Sequence, residues 1–435
     1  CIPLKLPLFC GMKVLLLGSG GRENAIAWKL AQSPLLSELF IAPGNAGTAE
    51  YGTNISIPAT HFQEIADFVI EYSIEMIIVG PEAPLVKGIY DFFAENDTLA
   101  HIPVIGPSKL GAQLEGSKAF AKDFMTRHQI PTAAYLEVSM DNLPDGMEFL
   151  ENLKPPFVLK ADGLAAGKGV LILNDLEEAR KELMAMLDGK FGDASETIVI
   201  EEFMSGIEFS VFVLSDGINY TILPLAKDYK RIGDNDTGLN TGGMGAVANP
   251  PFVSKEIMAA IEKWVIQPTI EGLLKDGIVY KGFIYIGFML EGSNARVVEY
   301  NCRMGDPETE VVFPLIKNDL LSLFLATAKG KLNEVKIETG NETAVTVILS
   351  SGGYPNDYKT GFPISGLENI TESLVFHCGT TQNENKQIVT NGGRVLAITS
   401  TGNTWQEAAK KCYASIRLID FEGKYFRTDI GQDLG

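Results

Sequence analysis

A chain of 435 residues, 46% hydrophobic and 21% charged, has the composition of a globular protein long enough for about three domains with separate cores. Its net charge of −19, from 36 basic against 55 acidic side chains, excludes a nucleic-acid partner, because phosphate backbones demand clustered Lys and Arg; any anionic substrate is left to a local site. No apolar run approaches the roughly 20 residues of a membrane span, so a soluble protein with no membrane partner is expected.

Residues 1–11, CIPLKLPLFCG, carry neither a charged leader nor a small-residue cleavage site, and a strand pattern begins at once from Met12. We expect Met12 to be the natural start and residues 1–11 a non-native extension. Cys1, Cys10, Cys302, Cys378 and Cys412 are scattered without a CxxC pair, which suits free thiols in a reducing cytoplasm better than disulfides or zinc.

Lys13 to Leu17 reads as a strand, followed by GSGGREN (18–24) and a helical pattern through Ala25, Ile26, Leu30 and Ala31. Strand, glycine turn and helix in this order place backbone N–H groups and a helix N-terminus against a phosphate. A dinucleotide fingerprint fails here: its third glycine would fall on Glu23, and Leu39 to Ala42 runs into Pro43-Gly44 with no acid at the strand end. The loop therefore suits a single phosphate, or is a plain tight turn. Met76 to Val79, ending in Gly80-Pro81-Glu82, and Val104 to Gly106 are further buried strands. Together they predict a doubly wound parallel sheet whose ligands sit beyond the strand carboxyl ends, where Asn45, Glu82 and the Gly18 loop fall.

SKAFAKDFMTRHQI (117–130) predicts a helix with Phe120 and Phe124 on one face and Pro131 closing it; Lys118 and Lys122 lie on a face whose default is solvent. FVLKADGLAAGKGVLIL (157–173) predicts two apolar strands around a loop with Gly163, Gly167 and Gly169, flanked by Lys160 and Lys168. It is not a Walker loop, since the first glycine would be Asp162 and no Ser or Thr follows Lys168. A glycine hairpin bearing lysines can still fold over a polyphosphate. Thr197 to Met204 predicts a strand ending in two carboxylates, with Glu208 beyond; its end suits a flat base and ribose hydroxyls, or is an exposed strand end with surface acids. AKDYKRIGDNDTGLNTGGMGA (226–246) predicts a long polar loop with a basic cluster of Lys227, Lys230 and Arg231, a length that favours function.

VVEYNCRMGDPETE (297–310) predicts a strand ending in a loop. Simple alternation puts Val297, Glu299, Asn301 and Arg303 on one side, with Val298, Tyr300 and Cys302 on the other. A carboxylate and a carboxamide two residues apart suit Mg²⁺, which prefers oxygen and keeps positions for water and phosphates. Arg303 adds a planar cation suited to a carboxylate or phosphate. After residue 335, short strands and turns with a helix over about 404–418 predict a third, α+β domain showing no catalytic constellation. His61, His101, His128 and His377 stand singly and read as structural or exposed.

Read together and in order, GSGGREN, PGNAGT (43–48), VGPEAPL (79–85), the lysine–glycine hairpin, IEEFMSGIE (200–208), the 227–246 segment, EYNCRMGDPETE (299–310) and SGGYP (351–355) resemble the ATP-grasp ligases. Among these the chain is most similar to the phosphoribosylamine–glycine ligase family, from Met12 to about Gly431. The resemblance implies an N-terminal Rossmann-like domain (12–113), a central ATP-grasp unit (114–335) with a mobile lid at about 131–203, and a small C-terminal α+β domain (336–435). It implies a cytoplasmic, monomeric or weakly dimeric enzyme of purine biosynthesis that uses ATP with Mg²⁺ (or Mn²⁺) to join glycine to 5-phosphoribosylamine.

By the same resemblance, the hairpin with Gly163, Gly167, Lys168 and Gly169 closes over the triphosphate, and Lys118 and Lys160 contact its phosphates. Glu201, Phe203 and Met204 frame the adenine, Glu208 meets the ribose, and Glu299 and Asn301 hold the metal. Gly20, Gly21, Arg22 and Glu23 seat the sugar phosphate, with Asn45 and Glu82 lining the cleft. Lys230, Arg231 and Arg303 meet glycine and the acyl phosphate, and Arg303, Lys160 and Asp228 are the catalytic candidates. The family usually has His where this chain has Asn24. The strand Gly282 to Leu290 also lacks the second acid many ATP-grasp enzymes carry there. The competing readings are another ATP-grasp carboxylate–amine ligase or a biotin carboxylase, opposed by the glycine loop and the 227–246 segment; a nucleotide-dependent dehydrogenase, opposed by the broken glycine fingerprint; and a catalytically dead binding protein, opposed by the presence of Glu299, Asn301, Lys160 and Arg303.

Overall fold

The computed structural model describes residues 11–163, 169–192 and 196–435. Its N-terminal part is the expected parallel sheet. Met12–Gly18 lies between Leu36–Pro43 and Met76–Val79, Val104–Pro107 extends one side, and the short Thr53–Asn54 the other. Alternate residues of these strands enter two different cores, Leu15, Leu17 and Ile77 on one face and Val14, Leu16 and Ile78 on the other. A parallel sheet covered on both faces needs such uninterrupted apolar strands.

Val104–Pro107 then pairs antiparallel with Tyr280–Glu291, and the sheet continues without a break. Tyr280–Glu291 is flanked by Ile207–Ser215 and Asn294–Asn301. Beyond Ile207–Ser215 follow Ala226–Asp228, Gly245–Ala248, Thr343–Ser350, Arg394–Gly402 and Leu374–His377, all antiparallel. One sheet thus threads all three expected parts. The helix Trp405–Ile416, capped by Thr404, packs its buried Ala408, Ala409, Cys412 and Ile416 on the C-terminal strands.

Between residues 135 and 202 a separate four-stranded antiparallel sheet forms in the order Tyr135–Val138, Ile198–Glu202, Phe157–Ala161, Val170–Leu173. Helices Leu143–Asn152 and Leu176–Ala185 close its private core of Leu150, Leu159, Leu183 and Ile200. Among the described residues no helix is long and apolar enough to cross a membrane.

Two local expectations are corrected. The polar 226–246 stretch is not one long loop: its ends are strands of the main sheet, and its middle is a hairpin, Arg231–Gly233 against Thr237–Asn240. Apolar Ala226, Ala246 and Ala248 are buried and provide the packing that fixes those ends. Simple alternation also fails in Asn294–Asn301. The register slips between Gly287↔Glu299 and Phe288↔Val297, so one extra residue turns Val297 into the core with Tyr300 and Cys302.

Candidate active site

That bulge leaves Glu299 and Asn301 projecting from the face opposite Tyr300. Burial alone would favour a neutral Glu299, but Lys230, Lys160, Lys118 and Arg303 outweigh it and hold the carboxyl below its ordinary range. Four cations from four separate stretches of sequence therefore converge on one carboxylate. Lys118 opens the helix Lys118–Arg127, whose N-cap Ser117 accepts from Phe120 N–H, and its Nζ donates to Gly163 O at 3.3 Å. Lys160 ends the strand Phe157–Ala161 and pairs with Glu201 at 2.9 Å.

Asn301 is fixed by what faces it. Its amide nitrogen, not its oxygen, must meet the acceptor Glu115 Oε1 (3.2 Å), and it also reaches Tyr300 O (3.1 Å). The amide oxygen then turns to the opposite side. Glu115 also accepts from Cys302 N–H at 2.9 Å and from Arg303 Nη2 at 2.7 Å. Burial pushes the Glu115 carboxyl up, and Arg303 opposes that shift. Arg303 bridges onward to Glu82 at 3.4 Å, tying the loop after the parallel strand Met76–Val79 to the Glu299 strand.

An ionised carboxylate beside an oriented amide oxygen, ringed by cations that suit phosphates, fits Mg²⁺ completed by a nucleotide tail. Among the described residues no three His, Cys, Asp or Glu side chains cluster as a metal cage, and the strand Tyr280–Glu291 offers only Gly287 and Tyr285 opposite the pair. The residues present thus suit a metal that keeps positions for phosphate and water.

Other sequence-derived assignments fare differently. Lys122, expected in solvent, is 2% exposed: its ammonium sits 3.2 Å from Glu201, and burial pulls it down to about 8. Glu201 therefore faces two lysines; Phe203, half-exposed, and buried Met204 follow it on the chain. Glu208 ion-pairs with Lys230, and Asp228, pushed up by burial, shares their field. Arg231 is not brought into this cluster, because it lies on the separate hairpin with Nη1 donating to Gly238 O at 2.8 Å. Gly169 O accepts from Ala161 N–H at 2.8 Å, whereas Gly167 and Lys168 lie outside the described residues.

The first glycine loop is more self-contained than its motif suggests. Gly20 caps the helix Gly21–Leu30 and donates its N–H to Glu23 Oε2 at 2.6 Å, while Arg22 Nε donates to Glu23 Oε1 at 2.6 Å. Glu23 is 1% exposed, wedged where a side chain on either Gly18 or Gly80 would collide with it. Its carboxylate is taken up by the backbone and the guanidinium of its own loop. Gly21 has no room for a side chain beside Glu310 and Cys378. Arg22 N–H donates to Asp306 at 3.3 Å and its guanidinium to Met304 O at 3.2 Å. Asn45 is also saturated: it donates to Ser19 O (2.9 Å) and His377 O (2.6 Å) and accepts from Gly47 and Thr48 N–H (2.8 and 3.0 Å). Asn24 is buried and accepts from His377 N–H at 2.6 Å, its own amide nitrogen unpartnered.

Sequence reasoning missed Glu115, Lys122, Asp306 and Glu308. Glu308 is buried, and burial together with Asp228 raises it to about 8. Asp306 pairs at 3.0 Å with Arg394 of the C-terminal part, which therefore reaches the site after all. Lys122 alone carried a local signal, recurring one helical turn after Lys118.

Three sequence families match: "Phosphoribosylglycinamide synthetase, N domain" over residues 12–115, its "ATP-grasp (A) domain" over 116–309 and its "C domain" over 344–433. A phosphoribosylamine–glycine ligase of Escherichia coli (strain K12) is 46% identical over 426 residues, 97% of this chain and 98% of its own length. The crystal structure of a phosphoribosylamine–glycine ligase from Thermotoga maritima superposes with a TM-score of 0.84 at 36% identity, covering 96% of this chain and 100% of that one. The biotin carboxylase domain of a Hydrogenobacter thermophilus 2-oxoglutarate carboxylase, solved with MgADP and bicarbonate, has a TM-score of 0.73 at 17% identity over 95% and 91% of the two chains, a likeness of fold alone.

Proposed function

This chain belongs to the phosphoribosylglycinamide synthetase family, a family of ATP-grasp ligases, and from that premise we propose that it joins glycine to 5-phosphoribosylamine, giving glycinamide ribonucleotide, ADP and phosphate. The observation that carries the chemistry is the convergence of Lys118, Lys160, Lys230 and Arg303 on the Glu299 carboxylate.

Glycine's carboxylate is a poor electrophile and needs activation. In-line transfer of the γ-phosphoryl group to a carboxylate oxygen gives glycyl phosphate and ADP. The amine of phosphoribosylamine then attacks the acyl carbon, phosphate leaves, and the amine loses a proton. Phosphoryl transfer asks the protein for position and charge neutralisation rather than a nucleophile. Lys118 and Lys160 hold phosphates, and Lys230 and Arg303 hold the reacting carboxylate and acyl phosphate, with Asp228 orienting Lys230. Glu299 and the Asn301 oxygen would hold a divalent ion, which would supply Lewis-acid neutralisation of the phosphate tail.

Phe203 and Met204 flank the base at the end of the strand Ile198–Glu202. Glu82 and the Gly18 loop line the sugar-phosphate side. The four-stranded sheet of residues 135–202, which carries Lys160, acts as the lid that excludes water from an acyl phosphate and an amine that both hydrolyse readily.

The test is phosphate release from ATP with glycine and freshly generated phosphoribosylamine, each omitted in turn. Release that needs both is the expected result; release indifferent to glycine overturns the reading.

A further inference from the structure

Glu115 lies just before the cap of the helix Lys118–Arg127, far in sequence from the strand it serves, yet its carboxylate receives the amide nitrogen of Asn301 (3.2 Å), the guanidinium of Arg303 (2.7 Å) and the backbone N–H of Cys302 (2.9 Å). Three consecutive residues are thus gathered on one buried acid. The consequence for Asn301 is directional. A carboxamide presents oxygen one way and NH₂ the other, and only oxygen suits Mg²⁺. A buried acceptor on one side settles which end faces the other side.

We propose that Glu115 is a positioning residue that turns the Asn301 amide so that its oxygen faces the metal, and that it holds Arg303 in register with that metal. It touches neither nucleotide nor substrate in this account. The inference rests on the reading of Glu299 and Asn301 as the metal pair. It also explains why an amide can serve where a second acid would be the stronger ligand: a carboxylate at position 301 would meet Glu115 head-on, while the amide is attracted to it. Outer-shell partners of this kind typically change metal affinity by about 10–100-fold.

The experiment titrates Mn²⁺ by electron paramagnetic resonance into full-length protein with saturating ADP, alongside thermal melting. It compares wild type, Glu299→Gln, Glu115→Gln, Asn301→Asp and the double variant Glu115→Gln/Asn301→Asp. Glutamine at 115 sets a donor among donors, so Mn²⁺ affinity is expected to fall by about tenfold. Asn301→Asp, despite its added charge, is expected to bind more weakly than wild type because of Glu115. In the double variant the amide introduced at position 115 donates to the new carboxylate, and affinity is expected to recover by about tenfold over Asn301→Asp.

A double variant no better than Asn301→Asp overturns the proposal, as does Glu115→Gln with a lowered melting temperature and unchanged Mn²⁺ affinity. If Glu115→Gln alone fails to fold, the comparison of Asn301→Asp with the double variant still decides. Loss of binding in Glu299→Gln, with Glu115 variants unaffected, sinks only this inference. Unaltered binding in Glu299→Gln sinks the metal site itself.

Discussion

Two regions of the molecule carry equally distinctive motifs and have reached opposite states. Around Glu299 the polar groups are charges of both signs: Lys118, Lys160, Lys230 and Arg303 all act on its carboxylate, and Lys160, Lys230 and Arg303 also pair with Glu201, Glu208 and Glu115. Around the first glycine loop the polar groups are already satisfied by one another, with Glu23 bonded to Gly20 and Arg22, and Asn45 to four backbone groups. Long charged side chains can exchange one partner for a charged ligand, whereas a closed hydrogen-bond circuit builds a wall. The first region should therefore answer mutation in turnover and the second in stability.

The sharpest break is Glu299→Gln. Losing the carboxylate removes a proposed metal ligand but leaves a similar volume among the same lysines, so turnover should fall by about 10²–10³-fold with the melting temperature nearly unchanged. A steady-state rate at saturating Mg²⁺ equal to wild type would erase the contrast between the two regions.

Lys122 shares a trait with each region, being charged and fully buried. It pairs with Glu201 at 3.2 Å in full burial, one turn from Lys118. Lys122→Met leaves Glu201 with Lys160 alone and should destabilise by about 3 kcal/mol, measured by urea unfolding, while Lys160→Met reduces turnover more than stability. Equal effects of the two substitutions on both readouts would dissolve the distinction.

Much of this was legible in the residues. The parallel strands, the helices at 118–127 and 405–416 and the strand that carries Glu299 and Asn301 follow from apolar runs, caps and spacing. What was not legible depends on partners distant in sequence. The slip that turns Val297 inward is decided by how Tyr280–Glu291 pairs with Asn294–Asn301, and nothing within 297–301 announces it. Lys122 reads as a solvated helix residue until Glu201 comes against it from another sheet. Glu115 has no motif of its own and acquires a role only because Asn301 and Arg303 fold onto it. The separation of Arg231 from Lys230 was not legible either, since the basic run splits when the hairpin at 231–240 forms.

The wall of the glycine loop has a pH signature. Burial depresses His377 to about 4, and its ring bonds Thr380 Oγ1 at 2.9 Å. The unfolded chain takes up a proton near the ordinary imidazole value of about 6.5, the folded one only near 4. Between these values the unfolded state binds more protons, so the contribution is full above pH 6.5 and is lost as pH falls toward 4, by up to about 3 kcal/mol. His377→Gln should flatten that part of the stability profile; an unchanged slope would mean the ring is not held neutral.

Asn24 gives the smallest and most local test. Its oxygen is the acceptor for His377 N–H at 2.6 Å, and its amide nitrogen has no hydrogen-bond partner. Asn24→Ala strands a buried backbone donor and should cost about 1–3 kcal/mol, while Asn24→Asp keeps the acceptor but buries a charge or a proton and should cost a similar amount. Neither substitution touches the cations around Glu299, so kcat at saturating substrate should stay within about twofold of wild type at 25 °C. A large loss of kcat from Asn24→Ala, with stability unchanged, would place this buried amide in the chemistry and make the two regions one functional unit.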